Sequence, residues 1–370
     1  MRKIAILTNI VPPYRLPLFN GIGDRVELEV IVCTDKEKNR KWSITKERKF
    51  KTKKLFGLTL TLRNNLNDYR FIYLKFSILF YLIFHRPYKL IIGDASLTSF
   101  MAAICCKVLK IDYIWWNETL PYTPINQGML GKVRGYCIRN AVHHYVSGSL
   151  AKEFIINYGV DEGLITIVPD AVDNDKYFDL HELLQPQSNE IKSKYGINRD
   201  DNTMLYVGQF IERKNIQLML DAYREIYEDD KCVKFIMVGG GELKDKIFQY
   251  KVEHGLKGLI VLDFMEPEKL AELYTIANVL ILVSNSEPWG MVVNEAMCFK
   301  VPVILSKYVG AGADLIDNST GQIIYDLNVS TLIENIKKIQ VMNYDGTIIM
   351  NRVSHWNNST AVERVIKELK

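Results

Sequence analysis

The sequence contains no C-x-x-C spacing among its six cysteines, which fall mostly in apolar runs such as AAICCKVL. That pattern excludes a disulfide-stapled scaffold and a thiolate metal site, and it reads as reduced core thiols of a cytoplasmic protein. The six histidines show no metal-ligand spacing either; His143 and His144 are adjacent, so a strand would turn them to opposite faces. No apolar run reaches the roughly 20 residues that cross a bilayer. The longest, FIYLKFSILFYLIF at 71–84, reads as a buried helix, with a membrane-surface helix as the alternative. Internal repeats and low-complexity tracts are missing, and 48% apolar with 24% charged residues excludes a disordered chain. The N-terminal MRKIAILTNIVPPY has a short apolar run and no small-residue cleavage site, so it reads as a first strand over 3–9 rather than a leader.

What is present is length for about two domains, and a divided charge. The net charge of +4 hides 24 basic and 10 acidic residues in 1–150, against 23 and 33 in the remainder. Within the first part, KEKNRKWSITKERKFKTKK (36–54) carries ten basic and two acidic residues. It reads either as a solvated loop or as a contact for anionic lipid head groups. Nucleic acid is disfavoured, because no base-reading motif accompanies the charge.

Short apolar runs alternate with amphipathic stretches. KIAILTNI, ELEVIVCT, LIIGD, DYIWWN, HHYVSGS and ITIVP read as one set of strands, and TMLYVGQ, KFIMVGGG, LIVLDF, ANVLILVS and VPVILS as another. Helical spacing lies between them, as in NIQLMLDAYREIYED, where Ile216, Met219, Leu220, Tyr223 and Tyr227 share one face. Such alternation predicts an α/β fold with parallel sheets covered on both sides. Two Rossmann-like, doubly wound domains are expected, facing across a cleft where ligands meet the carboxyl ends of strands. The expected boundaries are a first domain over 1–172, a linker over 173–199, a second domain over 200–350 and a last helix over 351–370.

Three strand–turn–helix junctions carry the chemistry. In ANVLILVSNSEPWGMVVNEAMCFK, Glu287 and Glu295 flank a turn at Gly290. The first amides of the following helix, around Gly290, Met291 and Val292, have no intrahelical acceptor and suit a diphosphate. Glu295 lies about 7.5 Å further along the axis, where a carboxylate can accept from ribose hydroxyls. Glu287 would face the group beyond the phosphates; a loop charge and a solvated helix residue are the plainer alternative. In YVGQFIERKNIQLML, Gly208 and Gln209 follow a strand, Arg213 and Lys214 suit phosphate, and Asn215 is placed to cap a helix. In FIMVGGGELKDKI, Gly239, Gly240 and Gly241 either approach a ligand or make a tight turn.

Together these stretches, with IVPDAVDNDKYF and VLDFM, resemble the C-terminal donor domain of the family 4 glycosyltransferases, strongly over about 165–325. The resemblance is to members of the bacterial cell-surface polysaccharide and lipopolysaccharide type. It implies the GT-B fold and retaining transfer of a sugar from a nucleotide diphosphate donor. It assigns Glu287 to the donor sugar, Glu295 to the ribose, Lys214 with Arg213 to the diphosphate, Met291 and Val292 to phosphate or sugar, and the backbone at Phe264 and Met265 to the base. Gly208, Gln209, Gly240 and Gly290 complete the donor side. Gln209 stands where relatives often have Arg, and Asp170-Ala171 where they often have Asn-Gly. Asp173, Asn174 and Asp175 fall at a structural position of the family, so no metal is expected. In the first domain the acceptor-side candidates are Tyr14, Arg15, Asp94, Asn117 and Glu118, with core or capping roles as the alternative for each. The implied partners are a nucleotide sugar of UDP or GDP type and a lipid-linked or cell-envelope glycan, at the inner face of the cytoplasmic membrane. An epimerase-like isomerase and a non-catalytic nucleotide-sugar binding protein are the competing readings.

Overall fold

The computed structural model describes residues 3–35, 47–63, 69–123 and 128–369. The chain divides into two units, residues 1–170 with 358–370, and residues 171–357.

Unit 1 runs β1 (Lys3–Thr8), α1 (Leu16–Gly23), β2 (Glu27–Val32), β3 (Lys51–Lys54), β4 (Leu58–Arg63), β5 (Tyr69–Leu74), α2 (Ser77–His85), β6 (Lys89–Ile92), α3 (Leu97–Leu109), β7 (Asp112–Asn117), α4 (Met129–Arg139), β8 (His143–Val146), α5 (Ser149–Ile156) and β9 (Ile165–Ile167). Seven strands form a parallel sheet in the order β3-β2-β1-β6-β7-β8-β9. Alternate residues of β1 serve opposite cores: Ala5 and Leu7 pack on one face, Ile4 and Ile6 on the other. That two-sided burial explains why these strands read as unbroken apolar runs. The pair β4–β5 is antiparallel and stands apart from the sheet.

Unit 2 runs α6 (Asn174–Leu184), α7 (Ser188–Lys194), β10 (Asn202–Val207), α8 (Ile216–Asp229), β11 (Val233–Val238), α9 (Lys244–Glu253), β12 (Leu259–Leu262), α10 (Pro267–Ile276), β13 (Val279–Leu282), α11 (Met291–Cys298), β14 (Val303–Ser306), α12 (Gly312–Leu315), β15 (Gly321–Ile324), α13 (Val329–Val341) and α14 (Gly346–Ser354). Its parallel sheet has the order β12-β11-β10-β13-β14-β15. The last helix, α15 (Asn358–Leu369), belongs to unit 1, where Val362 and Val365 pack with Leu18, Phe19 and Ile22 of α1.

Several expectations need correction. The stretch 173–199 is not a bare linker: α6 and α7 belong to unit 2 and bury Tyr177, Ile191 and Ile197 in its core. Asp173 caps α6 through the amide of Lys176, and the Asn174 side chain donates to the Val353 carbonyl at 2.9 Å. The apolar run 71–84 is not one buried helix. It holds the end of β5 and most of α2, which buries only Ile78, Tyr81 and Leu82 and leaves Phe80, Ile83 and Phe84 exposed. Of the basic segment 36–54, residues 36–46 lie outside the described residues, and Lys51–Lys54 form the edge strand β3. Among the described residues no helix is long and apolar enough to cross a membrane.

The cysteines sort by burial. Cys33, Cys106, Cys137 and Cys298 are buried, Cys105 is half-buried and Cys232 is exposed. Burial pushes the Cys33 thiol up to about 12 and the Cys137 thiol up to about 11. A thiol reagent applied to the native protein is therefore expected to label Cys232 rapidly, half-buried Cys105 more slowly, and the four buried cysteines only on unfolding. Rapid native labelling of Cys33 or Cys137, read by peptide mass spectrometry, would contradict this packing.

Candidate functional site

Unit 2 begins its sheet at β10, builds outward to β11 and β12, then returns to place β13 on the other side of β10. The strand order therefore reverses between β10 and β13, and loops leaving that point diverge and open a crevice at the carboxyl ends. Lys214 follows β10 and Glu287 follows β13, 73 positions later. The fold brings them together: the Lys214 ammonium bonds the Glu287 carboxylate, and Arg213 lies 3.5 Å from the same carboxylate. Arg213 also donates to the Ser286 carbonyl. Lys214 is only 8% exposed. Burial pulls its pKa down, and the facing Glu287 charge pushes back part of the way.

Asn215 does not cap the helix that follows. It adopts a left-handed conformation with φ 54°, and its side chain turns to the other loop. Its amide donates to the Val283 carbonyl at 2.7 Å and pairs with the Asn285 side chain at 2.8 Å, while the Asn285 amide donates to the Arg213 carbonyl at 2.9 Å. The basic turn and the acidic loop are thus sewn together by main-chain and amide bonds. These hold Lys214 beside Glu287 independently of the ion pair itself.

The acidic loop is pinned on its far side as well. The Glu287 amide donates to the Tyr308 carbonyl at 3.0 Å, and Gly310 and Ala311 return bonds to the Glu287 and Trp289 carbonyls. A Cβ on Gly310 would meet the Pro288 carbonyl oxygen at 2.0 Å, so only glycine lets the two loops approach this closely. Trp289 is buried, donates to Asn294 at 2.8 Å and stacks on Trp356 at 5.1 Å. Gly290 then takes φ 96° and starts α11 at Met291. Met291 and Val292 are half-buried, and as the first helical residues they have no intrahelical acceptor for their amides.

Glu295 sits one turn deeper and is half-buried. It accepts from the Tyr274 hydroxyl at 2.7 Å, and the Tyr177 hydroxyl bonds it too. Burial pushes its pKa up, and the two tyrosines hold it down only in part. The glycine run after β11 makes a tight turn. Gly239 and Gly241 adopt φ 150° and 153° and face the backbone of Gly208 and Phe210 at distances no Cβ tolerates, while Gly240 meets open space. Gln209 is exposed, as is Phe264; Met265 beside it is half-buried.

In unit 1 the strand order reverses between β1 and β6, and a cavity of about 190 Å³ opens there. Tyr14, Arg15, Asp94 and Glu118 all line it, together with Thr8 and Asn9. Arg15 lies over the Trp116 ring at 4.3 Å, bonds Glu118, and reaches Asp170 at 3.1 Å. Burial disfavours its charge, but Asp170 and Tyr14 more than offset this and raise its pKa. Burial also raises the Asp94 pKa, against bonds from the Ser99 hydroxyl at 2.7 Å and the Ser96 amide at 2.8 Å. Asn117 does not line the cavity. Its amide is used by the backbone, donating to the Thr119 and Ala151 carbonyls, which is a structural role.

Sequence reasoning missed Asn215 as the link between the two loops, Gly310 as the point of close approach, and Tyr274 and Tyr177 as the holders of Glu295. Only Gly310 carried a visible signal, as a glycine shortly after an apolar strand.

Residues 187–343 match the family model described as glycosyl transferases group 1. The chain is 26% identical over 196 residues to an uncharacterized glycosyltransferase of Methanocaldococcus jannaschii, covering 52% of this chain and 49% of the relative. It is 28% identical over 168 residues to the alpha-galactosylglucosyldiacylglycerol synthase of Streptococcus pneumoniae, covering 44% and 43%. A third relative is the capsular polysaccharide biosynthesis glycosyltransferase CapM of Staphylococcus aureus, 24% identical over 212 residues, covering 57% and 54%. These matches span about half the length of the curated relatives. Among solved structures, Anabaena HepE in complex with UDP superposes with a TM-score of 0.74 at 14% identity, over 100% of this chain and 99% of that one. The apo lipopolysaccharide outer core galactosyltransferase WaaB gives 0.71 at 16% identity, over 99% of both. The chain thus has the GT-B fold of these solved proteins, and the part of its second unit over residues 187–343 is similar to the glycosyl transferases group 1 model.

Proposed function

We propose that the protein is a retaining glycosyltransferase that moves a sugar from a UDP- or GDP-sugar to an acceptor hydroxyl on a lipid-linked or cell-envelope glycan. The observation that carries this reading is the meeting of Lys214, Arg213 and Glu287 at the head of α11, where free helix amides already favour an anion. The names of the relatives in lipid and capsule synthesis, and the UDP held by HepE, support the substrate class.

The roles follow from the charges. Without donor, Lys214 and Glu287 neutralise each other. An incoming diphosphate offers Lys214 and Arg213 a stronger anion, and Glu287 is released to accept from hydroxyls of the sugar. As the glycosidic bond breaks, negative charge grows on the leaving diphosphate, and the cations with the Met291 and Val292 amides stabilise it in place. The acceptor oxygen attacks the face from which the phosphate departs, and the phosphate takes its proton. Glu295 binds the ribose, and the backbone at Phe264 and Met265 the base. Gly208, Gln209 and Gly240 border the donor, and Gly290 admits it close to the chain. Tyr14, Arg15, Asp94 and Glu118 form the acceptor side; the backbone bonds of Asn117 set it apart from them. The reaction needs no metal in this scheme, and the site of action is the inner face of the cytoplasmic membrane.

Lys214→Ala is expected to lower transfer by about 10²–10³, with folding preserved because Arg213 remains to pair with Glu287. Turnover at the wild-type rate would overturn the assignment. Glu295→Gln is expected to weaken binding of free UDP more than Glu287→Gln does, as calorimetric titration would read. The same Glu295→Gln change has a second consequence. Because the folded protein holds the Glu295 proton more tightly than the unfolded chain, its contribution to stability is greatest below the ordinary carboxylate pKa. It is lost as pH rises through the raised value. The variant should therefore melt higher than wild type at pH 7.5, with the difference shrinking toward pH 5. A lower melting temperature at pH 7.5 would contradict this account of Glu295.

A further inference from the structure

The antiparallel pair β4–β5 is built with its apolar side outward. Its register sets Leu58 opposite Leu74 and Leu60 opposite Ile72 on one side, and Thr59 opposite Tyr73 and Thr61 opposite Phe71 on the other. Tyr73 is buried in the core of unit 1, Phe71 packs against it and Thr59 accepts from buried Lys75, so this side turns toward the unit although Thr59 and Thr61 stay exposed, and the leucine side faces water. Leu58, Leu60 and Leu62 are 57%, 56% and 48% exposed. An antiparallel pair with one solvated side ordinarily sets polar residues there.

The same surface continues into α2. Phe56 and Ser77 exchange bonds, the Phe56 amide donating to the Ser77 hydroxyl at 2.8 Å and the Ser77 amide to the Phe56 carbonyl. Lys75 is buried and donates to Gly57 and Thr59, tying the strand pair to the start of the helix. Phe76, Phe80 and Phe84 then recur at four-residue intervals on the outer side, with Ile83 beside them, and no charged residue interrupts 76–84. Phe80 and Phe84 are 63% and 76% exposed. On α3, which packs against α2, Ile104 and Val108 are also exposed. An apolar surface of this extent marks an interaction site.

Its border is cationic. Residues 48–110 contain twelve Lys and Arg against two Asp and Glu. Of the twelve, Lys75 is buried, and Lys49, Lys51 and Lys54 pair with Asp24, Glu27 and Asp35. Lys53 approaches His85 at the end of α2 at 3.3 Å, Arg86 donates to the Leu109 carbonyl, and Lys107 and Lys110 are exposed beside Val108. A second copy of this surface would bring like charges together. An anionic bilayer satisfies both features at once, taking the Phe and Leu side chains below its head groups and the Lys and Arg side chains among them.

We infer that the leucine side of β4–β5 and the phenylalanine side of α2 together form a membrane-docking surface that lays unit 1 on an anionic bilayer. The inference rests on the reading of the acceptor as a membrane-anchored glycan. It also moves the membrane contact from the basic segment to an apolar surface with a basic border.

The test is co-sedimentation of the full chain with phosphatidylcholine vesicles containing about one-third phosphatidylglycerol, and with pure phosphatidylcholine vesicles, at low salt. Wild type should pellet with the anionic vesicles. Phe80→Ser/Phe84→Ser and Leu60→Ser/Leu62→Ser should each lower the partition coefficient about tenfold or more. Lys51→Glu/Lys107→Glu, which alters exposed side chains and breaks only the surface pair of Lys51 with Glu27, should do the same. A thermal shift with UDP checks in parallel that unit 2 is intact in every variant. Wild type that shifts with UDP but stays in the supernatant overturns the docking surface alone, whereas wild type that pellets but shows no shift with UDP or GDP overturns the sugar-transfer reading alone. Equal binding to neutral vesicles, or wild-type binding by all three variants, also overturns the surface. So does a dimer in light scattering that the serine variants dissolve while vesicle binding persists.

Discussion

The ion pair between Lys214 and Glu287 is the contact on which the functional account depends. Each partner alone is an ordinary charged loop residue. The buried ammonium and the half-buried carboxylate answer each other's charge; without Glu287 the buried Lys214 is uncompensated, whereas without Lys214 the carboxylate keeps Arg213 at 3.5 Å. The two loops are held by an independent set of bonds through Asn215, Asn285, Tyr308 and Gly310. The pair is therefore free to open toward an incoming anion without the loops coming apart. A site arranged this way keeps its charges in place before the substrate arrives, which is the condition for electrostatic stabilisation of a leaving group.

The position of the pair follows from sheet topology. Both units reverse strand order once, between β1 and β6 in the first and between β10 and β13 in the second. In each, the loops that leave the reversal carry the polar residues: Arg15 and Asp94 in one, Lys214 and Glu287 in the other. The two sites differ in how their charges are used. In unit 2 Lys214 and Arg213 both face the Glu287 carboxylate, two positive charges against one negative. In unit 1, Arg15 is held between Glu118 and Asp170 above an indole ring, which fixes the wall of a small polar cavity.

Much of this was legible in the residues. The strands buried on both faces, such as KIAILT and VLIL, announce a parallel sheet because no polar residue interrupts them. The pairing of a basic couple after one strand with two acids around a Gly turn after another pointed to a donor site, and those loops do meet. What could not be read was the direction of side chains. LTLTLR alternates with period two whichever face is buried, so nothing local says that the leucines face water. The run at 71–84 is apolar on every side, and only the fold decides that Tyr81 is buried and Phe84 exposed. Asn215 has the composition of a cap, yet a left-handed backbone turns its amide across to the neighbouring loop. The tyrosines around Glu295 come from α6 and α10, distances along the chain that local pattern does not bridge.

The most direct test of the central claim is calorimetric titration of UDP and of a UDP-sugar into Glu287→Gln. If Lys214 exchanges Glu287 for the diphosphate, the neutral variant binds free UDP as tightly as wild type or more so, because no internal anion competes. It then gains nothing from the added sugar. Loss of UDP binding in Glu287→Gln, to the extent expected of a missing cation, would contradict the exchange and with it the proposed chemistry.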